Sequence, residues 1–206
     1  MKGANRFVRM LAVLGACLLA LGAARAQEVG KPLLLVASPE MKAFYAHTVL
    51  VAVPAGESGH LGFILNRATE VTLARLFPQH APSAKVVDPV FVGGPELAQA
   101  IFAVKRSEHH PGADWARLFG DLFVTASAEA VDLTIEQTPN DARYFAGLVV
   151  WQPGELDREV GKGFWHVSEP DAGLLFRKDA AGMWEELVKR FGNGAAPSRG
   201  MLNASL

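Results

Sequence analysis

The first 26 residues differ so sharply from the rest that they decide which part of the chain has to fold. Three basic residues within the first nine positions precede an uncharged apolar stretch from Met10 to Leu21. Ala24-Arg25-Ala26 then places small residues where a signal peptidase cuts. The pattern predicts a secretory signal peptide over residues 1–26, with cleavage before Gln27.

Two other interpretations of this segment stay open. Leu14-Gly15-Ala16-Cys17 resembles a lipobox, which would attach a lipid to Cys17, although the apolar stretch continues beyond it and a better cleavage site follows. A retained membrane anchor would need roughly 20 apolar residues, more than this stretch contains.

Removal of the signal changes the charge and the cysteine content. The whole chain has 20 basic and 21 acidic residues and one cysteine. Residues 1–26 hold four of the basic residues, the cysteine and no acid, so 16 basic groups face 21 acidic ones in the mature chain, a net charge of −5. We therefore expect an exported, periplasmic protein without a membrane span after cleavage. The negative charge disfavours a nucleic-acid partner.

Short apolar runs and amphipathic segments mix along the mature chain without strict alternation. We expect strands over 33–37, 47–53, 61–65, 90–92, 100–104, 122–125 and 143–151. We expect helices over 72–77, from Ser127 through Ile135, over 155–160 and over 183–191. The pattern predicts an α/β fold: a compact single domain over residues 27–194, with a mixed β-sheet and packed helices, followed by a disordered tail over 195–206.

Two motifs lie at expected strand ends, where anion sites often occur. Gly93-Gly94-Pro95 follows a strand, but it lacks the Lys-Ser/Thr of a phosphate-binding loop and the third glycine of a dinucleotide fingerprint, so we expect a tight turn. Arg67 in Asn66-Arg67 could clamp an anion or simply solvate the sheet edge.

Signatures of catalysis and of metal binding are weak. The chain has no Gly-x-Ser-x-Gly elbow, and no cysteine nucleophile remains after cleavage. His109-His110, with Glu108 and Asp114 in the loop expected over 107–117, lacks the spacing of a metal site. We therefore predict no catalytic residue, no cofactor and no metal.

Aromatic residues flank the helix expected over 155–160. They are Phe145, Trp151, Phe164 and Trp165. Aromatic side chains in such a setting more often form a core than a ligand cage. We expect the acidic residues of the helix, Glu155, Asp157 and Glu159, to lie on a solvated face.

Several segments in a fixed order resemble the YqgE/AlgH family. They are Gly62-Phe63-Ile64-Leu65-Asn66-Arg67, Val90-Phe91-Val92-Gly93-Gly94-Pro95, Tyr144-Phe145-Ala146-Gly147, Trp151-Gln152-Pro153-Gly154-Glu155-Leu156, Gly163-Phe164-Trp165 and Met183-Trp184. Each segment is short, but together they span about residues 33–192, nearly the whole mature chain.

The resemblance implies a compact mixed α/β domain and a small, non-catalytic protein. Family members are often labelled transcriptional regulators through a genetic link to alginate production, and no agreed catalytic residues, cofactor or ligand come with the family. What the resemblance does imply is a shared candidate binding surface. Its residues are Asn66, Arg67, Gly93, Gly94, Pro95, Trp151 and Gly154.

This chain departs from the family pattern in two ways. Family members usually begin near the equivalent of Leu33 and resemble cytoplasmic proteins, whereas this chain carries an export signal. Leu148-Val149-Val150 also stands where the family usually has Tyr-Ala-Gly/Ser, so a family pocket there would become more apolar. The leading hypothesis is an exported, non-catalytic protein that binds a protein or small ligand in the cell envelope. The alternatives are a cytoplasmic regulator and an envelope enzyme with an unrecognised site.

Overall fold

The computed structural model describes residues 30–57 and 59–192 of the chain. The predicted signal peptide, residues 1–26, and the predicted tail, residues 195–206, lie outside the described residues.

One mixed β-sheet runs through the described part. Its nine strands are β1 (Leu33–Ala37), β2 (Val49–Ala55), β3 (Gly59–Ile64), β4 (Phe91–Val92), β5 (Glu96–Arg106), β6 (Ala116–Phe119), β7 (Leu122–Thr125), β8 (Ala142–Trp151) and β9 (Trp165–Ser168). The strand order is β6-β7-β5-β8-β3-β2-β1-β9, with antiparallel neighbours, while β4 pairs with β8 in parallel. Strand β8 therefore contacts three strands and lies at the centre of the fold.

Short helices cover both faces of the sheet. They are α1 (Leu73–Leu76), α2 (Ala128–Gln137), α3 (Glu155–Gly161), α4 (Ala172–Leu175) and α5 (Met183–Gly192), with 3-10 helices at Ala43–Tyr45 and Ala81–Lys85. Thr72 and Ser127 cap α1 and α2 as expected: their hydroxyls accept from the backbone N–H of Arg75 at 3.3 Å and of Ala130 at 3.4 Å.

Alternation along the strands divides the core between the two faces. On one face, Val36, Phe63 and Phe145 belong to a cluster with α4 and α5. The opposite face carries two clusters, one with α1 and α2 and the other with α3. The predicted class, a single mixed α/β domain, is confirmed.

The strands and helices expected from hydrophobic runs are present, with shifted ends. Strand β5 is longer than the expected 100–104. The expected loop over 107–117 was wrong at its end, because Ala116 and Arg117 pair with β7. Strands β6 and β9 and helix α4 were not expected. They are four residues each, too short for a periodic signal.

The expected tight turn at Gly93-Gly94-Pro95 is instead a close crossing of backbones, with a bend at Pro95. Gly93 N–H donates to the carbonyl of Ala146 at 2.8 Å, which continues the pairing of β4 with β8. A Cβ on Gly93 would lie less than 3.0 Å from the carbonyl oxygen of Gly147, and one on Gly94 would clash with the backbone of Leu148. Glycine is therefore required by the closeness of the chains, rather than by a turn conformation.

A buried arginine ties two loops to the central strand. The Arg143 side chain, 2% exposed, donates from Nη2 to the carbonyl of Arg177 at 2.9 Å and lies 4.2 Å from the ring centre of Phe91. The Asp88 carboxylate is 4.0 Å away and binds Lys178 at 2.9 Å. Burial lowers the pKa of Arg143, and the charge of Asp88 opposes this effect.

Candidate functional site

Asn66, two residues after the end of β3, holds the start of β2 in place. Its side-chain oxygen accepts from the backbone N–H of Val49 and its amide group donates to the carbonyl of His47, both at 2.9 Å. Both ends of the amide are therefore used inside the chain. This bridge replaces backbone pairing where His47 leaves the sheet with a left-handed φ of 56°.

Arg67 holds the 3-10 helix that precedes β2. Its guanidinium donates to the carbonyls of Phe44 and, at 3.3 Å, of Ala46, and lies 4.6 Å from the ring centre of Phe44. Burial lowers the pKa of Arg67. Ala43, at the start of this helix, also has a left-handed φ, 57°. Arg67 thus binds carbonyl oxygens of a strained segment. From the sequence alone, both anion binding and solvation of the sheet edge were open for this side chain.

Trp151 and Trp165 share one acceptor on helix α3. Their indole N–H groups donate to the same carboxylate oxygen of Glu159, at 3.0 Å and 2.8 Å. Both indoles are buried, so each N–H needs an acceptor. The expected solvated face is correct for Asp157, which is exposed, but Glu159 is half-buried and is bound by both indoles. Glu159 is three residues after the buried Leu156 and so lies on the inner face of α3, a spacing that could have identified it.

Gly154 forms the N-terminus of α3 and has a left-handed φ of 72°. The Glu155 carboxylate accepts from the backbone N–H of Gln152 at 2.9 Å across this turn. The turn after β8 therefore directs α3 back across the sheet, which brings Glu159 beneath Trp151.

Tyr45 lies between the residues just described. Burial raises its pKa first, followed by the negative charges of Glu159, Glu96 and Glu155, while Arg67 lowers it. Its ring also meets Trp165 edge-on, with centroids 5.9 Å apart. We call the seven residues Asn66, Arg67, Gly93, Gly94, Pro95, Trp151 and Gly154 the motif region. Arg67 binds the carbonyls on either side of Tyr45, and the Tyr45 ring contacts Trp165, which shares its acceptor with Trp151. Gly93 and Gly94 are buried at the strand crossing.

A second region, on the face that carries α4 and α5, is an open groove of about 190 Å³. Its main apolar residues are Leu61, Phe63, Phe102, Val124, Ala126 and Leu148. Ala116, Asp114 and Thr125 complete its lining. These residues come from β3, β5, β6, β7 and β8 and their ends. We refer to this set as the groove.

Leu148 belongs to the segment that departs from the family pattern, and it lines the groove. Val150, two residues further along β8, is 44% exposed and pairs directly with Leu61, so the two side chains share a face. The apolar surface therefore continues from the groove across β8. The apolar character of Leu148 and Val150 is evident from the sequence, but their place beside Leu61 depends on strand pairing.

Two polar residues, Thr125 and Asp114, are among those that line the groove. The Thr125 hydroxyl donates to the backbone carbonyl of Asp114 at 2.7 Å and fixes this part of the loop. The Asp114 carboxylate is exposed and makes no hydrogen bond or ion pair with any described residue. The groove thus has an apolar lining, and the available carboxylate of Asp114 belongs to a residue at its edge.

The histidine pair of the preceding loop does not assemble with other ligands in the described part. His110 meets the ring of Phe123 edge-on, with centroids 5.2 Å apart. Among residues 30–57 and 59–192, no group of three or more His, Cys, Asp or Glu side chains is arranged to hold a metal ion. Within the same residues, no helix has the length and apolar character needed to cross a membrane.

The fold is that of known mixed α/β structures. The solution structure of the AlgH protein from Pseudomonas aeruginosa aligns with a TM-score of 0.65 at 20% identity, over 88% of this chain and 98% of that one. A crystal structure of a protein from Corynebacterium diphtheriae aligns with a TM-score of 0.66 at 21% identity, over 86% of this chain and 93% of that one.

The family follows from sequence comparison. A model of the AlgH-like family matches residues 34–196, so the chain belongs to that family and the resemblance drawn from its motifs is confirmed. A UPF0301 protein of Methylococcus capsulatus is 29% identical over 163 residues, which cover 77% of this chain and 89% of the relative. A UPF0301 protein of Chlorobium phaeobacteroides is 28% identical over 164 residues, which cover 78% of this chain and 85% of the relative.

Proposed function

We propose that this AlgH-like protein is an exported, non-catalytic binding protein of the cell envelope, located in the periplasm, and that its partner contacts the groove. The observation that carries the proposal is the groove itself: a hollow of about 190 Å³ with an apolar floor, left open to solvent. Removal of apolar surface from water lowers the free energy, so an open apolar hollow favours a binding role.

The polar chemistry of the groove supports binding rather than catalysis. Nucleophilic catalysis needs a nucleophile and a base within hydrogen-bond reach of each other. The Thr125 hydroxyl instead donates to the backbone carbonyl of Asp114. Orientation of a ligand by the Asp114 carboxylate requires no such pair.

Export is supported by the N-terminal pattern and by the composition that remains after its removal. The positive start, the apolar stretch and Ala24-Arg25-Ala26 together fit a cleaved signal. N-terminal sequencing of the protein purified from its native cells should give Gln27 as the first residue, and fractionation should place it in the envelope. An intact Met1 in the cytosolic fraction would refute export.

Binding at the groove can be tested in living cells by photocrosslinking. A photoreactive amino acid at Ala126, an exposed residue of the groove, should give a discrete adduct on irradiation. Ala128, exposed two residues later at the start of α2 and outside the groove lining, is the matched control and should give none. Equal labelling from both positions, or none from Ala126, would refute the groove as the contact site.

A further inference from the structure

The dimensions of the groove restrict what it can hold. Small-molecule sites usually have volumes of roughly 300–1,000 Å³ and bury most of the ligand. An apolar cavity of about 150 Å³ holds one benzene molecule. With about 190 Å³, open on one side, the groove fits a single large aliphatic or aromatic side chain. The rest of such a ligand would remain outside.

The surface beside the groove offers contact to that remainder. Val150 lies next to Leu61 on the same face, and its side chain is largely exposed. A protein segment with one side chain in the groove can lie across Val150, whereas a small molecule filling the groove would leave Val150 in water. The shape therefore favours a protein partner.

The negative charge of Asp114 indicates which kind of partner residue lies next to the side chain that enters the groove. The Asp114 carboxylate has no partner among the described residues. Basic side chains of the neighbouring strands contact other groups: Lys105 the ring of Trp115, and Arg106 the carboxylate of Asp121. A net charge of −5 for residues 27–206 also favours a basic partner at long range.

We propose that the groove binds a protein segment in which a large apolar side chain lies beside a lysine or arginine: the apolar side chain enters the groove and the basic group pairs with Asp114. This inference rests on the proposed function and names the chemistry of the partner.

The probes are three blocked tetrapeptides, Gly-Lys-Leu-Gly, Gly-Gln-Leu-Gly and Gly-Glu-Leu-Gly, titrated into isotope-labelled protein from Gln27 onward and followed by NMR. The lysine peptide should shift the amide signals of Leu61, Val124 and Ala126 and bind about threefold more tightly than the glutamine peptide, with the glutamate peptide weakest. Salt at about 0.5 M should reduce the difference, because it screens exposed charges. Equal affinity for the three peptides, or no binding, would overturn the proposal.

Two pairs of variants locate the effect. Asp114→Asn should remove the preference for lysine, while Asp132→Asn, which changes the same charge at an exposed position on α2, should retain it. Ala126→Gln should weaken all three peptides by blocking the groove, and Ala128→Gln should not. A lysine preference that survives Asp114→Asn would refute the role of Asp114.

A fourth ligand and the crosslinking result separate the remaining outcomes. If octylamine binds the groove as tightly as the lysine peptide, the site favours a small cationic amphiphile, and the choice of a protein segment is wrong. If the adduct at Ala126 forms but the peptides show no charge preference, the proposed function stands and this inference fails. If the protein prefers the lysine peptide but no adduct forms in cells, the pairing of a basic group with Asp114 is supported, while the proposed cellular role is refuted.

Discussion

The motif region and the groove use the two faces of strand β8 differently. Trp151 points into the cluster under α3 and is held there by Glu159, whereas Leu148 lines the groove on the other face. Asn66 and Arg67 likewise bind backbone groups of the chain itself. The difference teaches that residues recurring in a family's motifs can serve the architecture, while an open apolar groove can be lined mainly by residues outside those motifs.

The largest effect expected in the motif region comes from adding one methyl group at the strand crossing. Gly93→Ala should lower the free energy of unfolding by at least about 3 kcal/mol, because the new Cβ meets backbone of β8 that cannot move aside. Urea unfolding of the purified protein measures the change. Gly161→Ala is the control: nothing lies within 4 Å of its Cβ, and Ala should be neutral or slightly stabilising there. Equal stability of the Gly93→Ala variant and the wild type would contradict the close approach of the backbones of Gly93 and Gly147.

A second large effect concerns the shared acceptor of the two indoles. Glu159→Ala should cost about 2–3 kcal/mol of unfolding free energy, since two buried indole N–H groups lose their partner. Asp157→Ala, at an exposed position on the same helix, should change stability by less than about 0.5 kcal/mol. Thermal unfolding followed by tryptophan fluorescence distinguishes them, and similar losses for both variants would show that Glu159 has no special role.

The contrast between predictable and unpredictable features has a physical origin. Strand β8 was predictable because Arg143–Trp151 is rich in aromatic and β-branched residues, which favour extended structure. Glu159 could have been found from its spacing to Leu156, but the two indoles that it binds come from separate strands. The groove could not be predicted, since its residues meet only through the register of five strands distant in sequence. Local patterns predict elements, whereas sites depend on how those elements pair.

Alkaline pH tests the electrostatics around Tyr45, which lies beside the motif region. The pKa of Tyr45 is raised above 10.0 by burial and by nearby carboxylates, and that of Tyr144 is raised by burial. Each phenol thus keeps its proton better in the folded state. Its contribution to stability is complete below pH 10 and is lost as the pH rises through the folded pKa. Tyr45→Phe should therefore lose less stability than wild type between pH 10 and 12, and Glu159→Gln should lower the pKa of Tyr45. Urea unfolding across this pH range measures the first effect, and ultraviolet titration of the phenolates measures the second. A Tyr45 pKa at or below 10 would contradict the burial described.

The smallest effect on stability, and the one that separates the two regions most clearly, is expected beside the groove. Val150→Thr keeps the β-branched shape that suits a strand and changes only an exposed methyl, so unfolding free energy should shift by less than about 0.5 kcal/mol. The same substitution should weaken binding of a ligand that lies across Val150, because apolar contact is replaced by a hydrated hydroxyl. Val87→Thr, at an exposed valine outside the groove lining, should leave both stability and binding unchanged. A large loss of stability in Val150→Thr would show that this side chain supports the fold as the motif residues do, and the distinction between the two faces of β8 would fail.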